Sequence, residues 1–141
     1  KYSLLISERA AEEIKIKIGT AVQQQKDLTY TVKGKDQISG LLSSVDLTSE
    51  DVREAIKDSI REIADALKFV LESIQPEVAA DIVENGVVLT GGGALIRGLD
   101  KYLSDTVKLP VFVADEPLLC VANGTGKALE EIKSLKQAAN D

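Results

Sequence analysis

The sequence has no histidine, no tryptophan and no methionine, and its single cysteine is Cys120. Without histidine there is no Ser-His-Asp or Cys-His nucleophilic set, and the commonest zinc ligand is missing as well. One cysteine closes no internal disulfide and fits a reducing compartment. Basic residues are outnumbered, 17 Lys plus Arg against 23 Asp plus Glu, for a net charge of −6. A chain this acidic lacks the electrostatic footprint of a nucleic-acid or anionic-membrane binder. No apolar run approaches the roughly 20 residues that span a bilayer. The opening stretch, KYSLLISERAAEEIK, lacks the basic flank and cleavage-like site of a signal peptide. It also lacks an initiator Met, as a piece of a longer protein would.

What remains is ordinary globular composition, 44% hydrophobic and 28% charged over 141 residues. That is enough for one domain with a core, or for two small subdomains. Ser7 can cap a first helix over residues 7–19, with Ala10, Ala11, Ile14 and Ile18 at helical spacing and Gly19 as its stop. Residues 20–27 read as an exposed connection. Leu28 to Val32 alternates with period two, and Gly34-Lys35-Asp36 supplies turn chemistry before a second extended stretch from about Leu41 to Leu47. The spacing predicts a long helix from Ser49 to about Ile74, opened by Thr48 and Asp51 as a capping box. Val52, Ile56, Ile60, Ile63, Leu67, Val70 and Ile74 form its apolar stripe. A long amphipathic helix on a sheet explains that stripe better than a coiled coil. Pro76 opens a shorter helix ending at Asn85-Gly86. Then follow strand Val87–Leu89, a Gly91-Gly92-Gly93 turn, a helix from Leu95 to about Val107 entered or broken at Gly98, and strand Val111–Val113. From Leu118 the chain is helical with an interruption at Gly124-Thr125-Gly126, and Gln137 to Asp141 are expected to fray. Strand-helix alternation of this kind argues a parallel strand pair.

The stretch VVLTGGGALIRGLD carries the most chemical information. Consecutive glycines after a strand let backbone N–H groups face outward and let a ligand approach without Cβ obstruction. A helix start adds a positive dipole end, suited to phosphate or ribose oxygens, while a tight turn that binds nothing explains the residues equally well. Gly124-Thr125-Gly126-Lys127 is not a Walker loop, since Ala128 replaces the metal-holding Ser or Thr and Val121 the leading glycine. Neither glycine cluster completes G-x-G-x-x-G, because Ile96 and Leu129 occupy the last position. Gly124 and Gly126 read instead as small residues for close helix packing. Glu12 and Lys15 share a helix face and could contact a ribose and an adenine edge; a surface ion pair explains them better. Arg97, Asp100 and Lys101 are ligand-facing candidates or a solvated face, and Cys120 is a small core residue. No acidic cluster has metal-ligand spacing, and no catalytic set is present.

Three segments, SERAAEEIKIKIGTA, GVVLTGGGALIRGLDKYLSD and LPVFVADEPLLCVANGTGKALE, resemble in order and spacing the second half of the MreB family of bacterial actin-like proteins. SEDVREAIKDSIREIADALKFVLESIQPEVAADI resembles that family's helical connector. The resemblance implies an α/β, actin-like (ribonuclease H-like) ATPase fold, here part of domain II. It implies a small α+β subdomain over 1–48, a connecting helix over 49–75 and an inner βα subdomain over 76–141. By the same resemblance Glu12 and Lys15 lie on the adenosine side of an ATP or ADP site, and Gly91, Gly92 and Gly93 match its adenosine and phosphate motif. The motifs that hold Mg²⁺ and the β- and γ-phosphates, and the membrane-contacting segment, lie upstream in the family, so this chain alone is expected to be inactive. Implied partners are further copies of itself in filaments, the N-terminal half, a RodZ-type membrane adaptor and the cell-wall synthesis complex. The implied place is the cytoplasm, at the inner face of the bacterial membrane. Ser7 stands where the family usually has Gly, and Ala10 where Thr is common. Two other classes fit the residues alone: an α/β enzyme acting on a nucleotide or sugar phosphate with an Asp or Glu base, and a non-catalytic module docking through the 49–74 helix. A sheet lacking strands would leave an unprotected edge, and the chain by itself is then expected to be marginal or to exchange elements with a copy.

Overall fold

A computed structural model describes residues 1–132. The first half is a three-stranded antiparallel sheet with one helix against it. β1 (Leu4–Leu5) pairs with the far end of β2 (Thr29–Asp36), and β2 pairs with β3 (Leu42–Thr48) from Thr29↔Thr48 to Lys35↔Leu42. α1 (Glu8–Ile18) is capped by Ser7, whose side chain accepts from the Ala10 N–H. Its Ile14 and Ile18 bury against Val32 and Val52. Of Gly34, Lys35 and Asp36, only Asp36 supplies the turn chemistry expected of them, and Gly34 and Lys35 stay in the strand. Lys35 pairs with Leu5, and the bend is displaced to residues 37–41, where Asp36 accepts from the Ile38 and Ser39 N–H groups. An extra strand, β1, thus holds these residues extended.

α2 (Ser49–Ser73) begins with the expected capping box between Thr48 and Asp51. Its start is tied to the residues just ahead of β2 by the buried Ser49, which takes the Leu28 N–H on its hydroxyl oxygen and donates to Asp27. Val52 serves the first core, whereas Ile60 and Ala64 belong to a second with Leu99, Leu103, Val111 and Ala21. The helix therefore packs on α1 and β3 with its first turns and, through the second core, on Leu99, Leu103 and Val111 with its later ones. Val52, Ile56, Ile60 and Leu67 of the expected stripe pack into the cores, whereas Ile63 and Val70 are exposed and Ala64, not expected there, is buried.

α3 (Pro76–Asn85) buries no residue. β4 (Val87–Leu89) and β5 (Val111–Val113) form the expected parallel pair. Between them a 3₁₀ turn over Gly92–Leu95 is separated from α4 (Leu99–Val107) at Gly98, so the helix expected from Leu95 is two elements. α5 (Cys120–Glu130) runs without interruption through Gly124 and Gly126. A Cβ at either glycine would meet no atom among the described residues, so they mediate no close packing there. Cys120 is half-buried, its thiol facing the carbonyls of Asp115 and Glu116. The fraying expected of Gln137 to Asp141 falls outside the described residues.

Candidate functional site

The glycine turn is built by backbone constraint. β4 delivers the chain to Gly91, whose φ of +80° favours glycine and whose N–H donates to the Pro117 carbonyl at 2.8 Å. Gly92 and Gly93 open the 3₁₀ turn, so their N–H groups precede any helical acceptor. Among the described residues neither donates to another backbone carbonyl. A Cβ would meet nothing within 4 Å at Gly91 and Gly93, and only Leu118 at 3.4 Å at Gly92. The result is a short run of accessible backbone beside open space. Ala94, directly behind it, is buried and anchors the turn to the core.

Glu12 and Lys15 lie one turn apart on α1 and pair at 2.6 Å, with side chains 57% and 38% exposed. Both line a cavity of about 840 Å³ between α1 and α2, whose walls include Tyr2, Ile6, Leu47, Asp51 and Ile56. This cavity stops short of Gly91–Gly93. Asp51, at its edge, accepts from Lys1, from Tyr2 at 3.0 Å, and from the Thr48 N–H and hydroxyl at 3.0 Å each. The Lys1 ammonium is the main cause that holds the Asp51 carboxyl well below the usual aspartate range, with the Thr48 donors adding to it.

Two parts far apart in sequence are joined by a feature that sequence reasoning missed. Thr20 forms a parallel bridge with Arg97, and the Arg97 carbonyl accepts the Ala21 N–H at 2.8 Å. The Arg97 guanidinium donates to the carbonyls of Ile16 and Gly19 at 3.3 Å each, capping the last turn of α1. Arg97 is thus committed to α1, not turned toward a ligand. Thr20 and Ala21, expected to be exposed, are buried by the same bridge. Gly98 completes the joint at φ +71°, and a Cβ there would come within 2.5 Å of a Val22 methyl carbon. The C-terminus of the helix bearing Glu12 and Lys15 is thereby fixed to the segment that leaves the glycine turn. Seventy-seven residues separate Thr20 from Arg97, and no local pattern announces such a pairing.

Comparison with known proteins covers nearly the whole chain. The MreB/Mbl protein family matches residues 1–137. The cell shape-determining protein Mbl of Bacillus cereus is 45% identical over 99% of this chain, and MreB of Escherichia coli is 44% identical over 93% of it. The chain spans only 42% and 38% of the length of these relatives. Among solved structures, MreB5 of Spiroplasma citri bound to ADP superposes with a TM-score of 0.91 at 35% identity, over 97% of this chain and 42% of that one. Its AMPPNP-bound form gives 0.90. MamK, from a double helical filament, shares the fold at a TM-score of 0.64 and 23% identity. The fold is α/β and actin-like, the residues that carry the glycine turn and its anchoring joint lie within the matched span, and the chain belongs to the MreB/Mbl family of cell shape-determining proteins.

Proposed function

We propose that this chain is the adenosine-side wall of the nucleotide cleft of an ATP-binding, filament-forming protein that sets rod cell shape by organising cell-wall synthesis. The supporting observation is the near-complete superposition on MreB5, solved with ADP and with AMPPNP, over a span that includes the open glycine turn. Gly92 and Gly93 would offer N–H groups to phosphate or ribose oxygens, and the absence of Cβ atoms lets the ligand reach them. Glu12 and Lys15 would hold the adenosine side, Glu12 accepting from a hydroxyl or amine and Lys15 donating. Because they pair with each other at 2.6 Å, binding must open that ion pair. An exposed pair of this kind contributes only ~0–1 kcal/mol, so the cost of opening it is small.

These residues would serve the adenosine. Among the described residues no three His, Cys, Asp or Glu gather in a way that could hold a cation. Phosphoryl transfer needs Mg²⁺ and positioned charge around the γ-phosphate, and those groups would come from the remainder of a full-length relative. The same holds for the contact with the membrane, for a RodZ-type adaptor and for the wall-synthesis complex. Filament formation is supported by MamK, whose structure is a double helical filament on the same fold.

The test is sedimentation and turnover on the protein at its native length beside the 141-residue chain. The native-length protein is expected to pellet as polymer with Mg-ATP and to hydrolyse it, while the chain alone turns nothing over. Stoichiometric, Mg²⁺-dependent turnover by the chain alone would overturn the assignment of chemistry to the missing groups. A native-length protein that stays in the supernatant would overturn the filament reading.

A further inference from the structure

The two parts of the adenosine-side wall ride on different cores. α1, with Glu12 and Lys15, is seated by Ile14 and Ile18 in the cluster that holds Val32 and Val52. The segment that leaves the glycine turn runs into α4, whose Leu99 and Leu103 sit in the other cluster with Val111, Ile60 and Ala64. α2 passes through both, and Ile56 packs against each. Neither core by itself therefore sets the distance from the helix to the turn.

That distance is set where the end of α1 meets Arg97. Gly19 closes the helix with its N–H on the Lys15 carbonyl at 2.9 Å. A Cβ at Gly19 would lie 2.3 Å from that carbonyl oxygen, so the closure admits no larger residue. The Arg97 guanidinium then donates to the carbonyls of Ile16 and Gly19 from one nitrogen, Nη1, at 3.3 Å each. A positive group placed there also meets the negative end of the helix dipole. Arg97 is exposed, belongs to neither core, and is in no ion pair among the described residues. A charged side chain spent on two backbone carbonyls of another element holds that element in place. Lys15 stands about one turn and Glu12 about two turns before Gly19, so a shift at the joint is carried along a stiff helix to both.

We infer that Arg97 is a positioning residue for nucleotide binding. It touches no nucleotide itself, and fixes α1 against the glycine turn so that Glu12, Lys15 and the N–H groups of Gly92 and Gly93 reach one ligand together. This role rests on the adenosine-side reading and adds the device that aligns its two parts. Coupling between sites is reciprocal, so a nucleotide that spans both parts also tightens the joint.

The experiment is a double-mutant cycle on the native-length protein, read by calorimetric titration with Mg-ATP and by thermal unfolding. Arg97→Ala keeps the backbone bridge to Thr20 and Ala21 and removes only the guanidinium. It is expected to weaken binding about tenfold, and Arg97→Lys, which keeps a cationic donor, to recover most of that loss. Glu12→Ala with Lys15→Ala is expected to weaken binding by a similar factor. Adding Arg97→Ala to that pair should change affinity by less than about twofold, since Arg97 acts through them, while its lowering of the thermal midpoint persists. A merely structural cap would lower the midpoint in both backgrounds and leave affinity unchanged, and that result overturns the inference. Affinity losses that add in full overturn it as well. Hydrogen exchange on the wild type needs no variant. Mg-ATP is expected to slow exchange of the Gly19 and Ala21 amides together with those of Gly92 and Gly93, and protection confined to the glycine turn also overturns the role of Arg97. If Glu12→Ala with Lys15→Ala, and Gly93→Val, both bind Mg-ATP as tightly as wild type, the adenosine-side reading fails and the positioning role falls with it.

Discussion

Asp51 shows how one residue serves two levels of structure. It closes the capping box of α2 with Thr48 and at the same time receives Lys1 and Tyr2. Its folded carboxyl ionises below the ordinary aspartate value of 3.8, chiefly because of Lys1. The unfolded chain therefore takes up this proton first as pH falls, and the native state is left behind. Its contribution is complete above about pH 4 and is lost on descent toward the lower folded value. Urea unfolding at pH 6 and pH 3 should show that loss, and Asp51→Asn should flatten the acid slope. Removal of the cap itself, in Thr48→Ala, is expected to cost about 1 kcal/mol at neutral pH. Gly98 makes a sharper claim. Gly98→Ala must adopt φ +71° and displace Val22, at a cost on the order of 1–3 kcal/mol, readable as a lowered midpoint in thermal unfolding. The capping box was legible in the sequence because Thr48 and Asp51 are three residues apart. The Lys1 and Val22 contacts were not, because nothing local joins residue 1 to 51 or 22 to 98.

At the scale of elements, α2 is the instructive case. Its existence, length and N-terminus follow from apolar spacing and the cap, and the structure agrees to within a residue. Its buried face follows only in part, through Val52, Ile56, Ile60 and Leu67. The first turns pack under α1 and the sheet, through Val52, and the later ones against α4, through Ile60 and Ala64. The requirement for contact shifts around the helix, so Ala64 enters the core and Ile63 and Val70 leave it. A stripe counted by hydrophobicity alone overlooks an alanine chosen for close approach. The partner core is expected to be sensitive: Leu103, 1% exposed on α4, cut to Ala should cost about 2–5 kcal/mol. Ile63→Ser, on the open face, should cost far less, and urea melts of the two variants separate them. The glycine turn was legible as a turn but not as a 3₁₀ element. The turn is held by the Gly91 N–H on the Pro117 carbonyl on one side and by the Thr20–Arg97 bridge on the other.

At the scale of the molecule, the two cores share little but α2, with Ile56 packed against both. The β4–β5 pair leaves Val88 and Phe112 more than half exposed, whereas parallel strands are ordinarily covered on both faces. Since relatives are more than twice as long, the isolated 141-residue chain is expected to be marginal: a low unfolding midpoint, or self-association by light scattering. A monomer with one cooperative, high-temperature transition would refute this. The family was legible because three motifs carried it in order. What joins them is a bridge between Thr20 and Arg97, and chemistry of that kind becomes visible only in three dimensions.

The most direct measurement is a calorimetric titration of the native-length protein with Mg-ATP, wild type against Gly93→Val. Gly93 is the clean position. A Cβ there meets no atom of the described residues within 4 Å and needs no positive φ, so the fold is expected to tolerate a side chain while the approach to the backbone is blocked. Micromolar binding by the wild type, about −8 kcal/mol, with at least roughly tenfold weaker binding by the variant, is the expected result. A Gly93→Val protein that binds Mg-ATP as tightly as wild type would contradict the assignment of the glycine turn to the nucleotide.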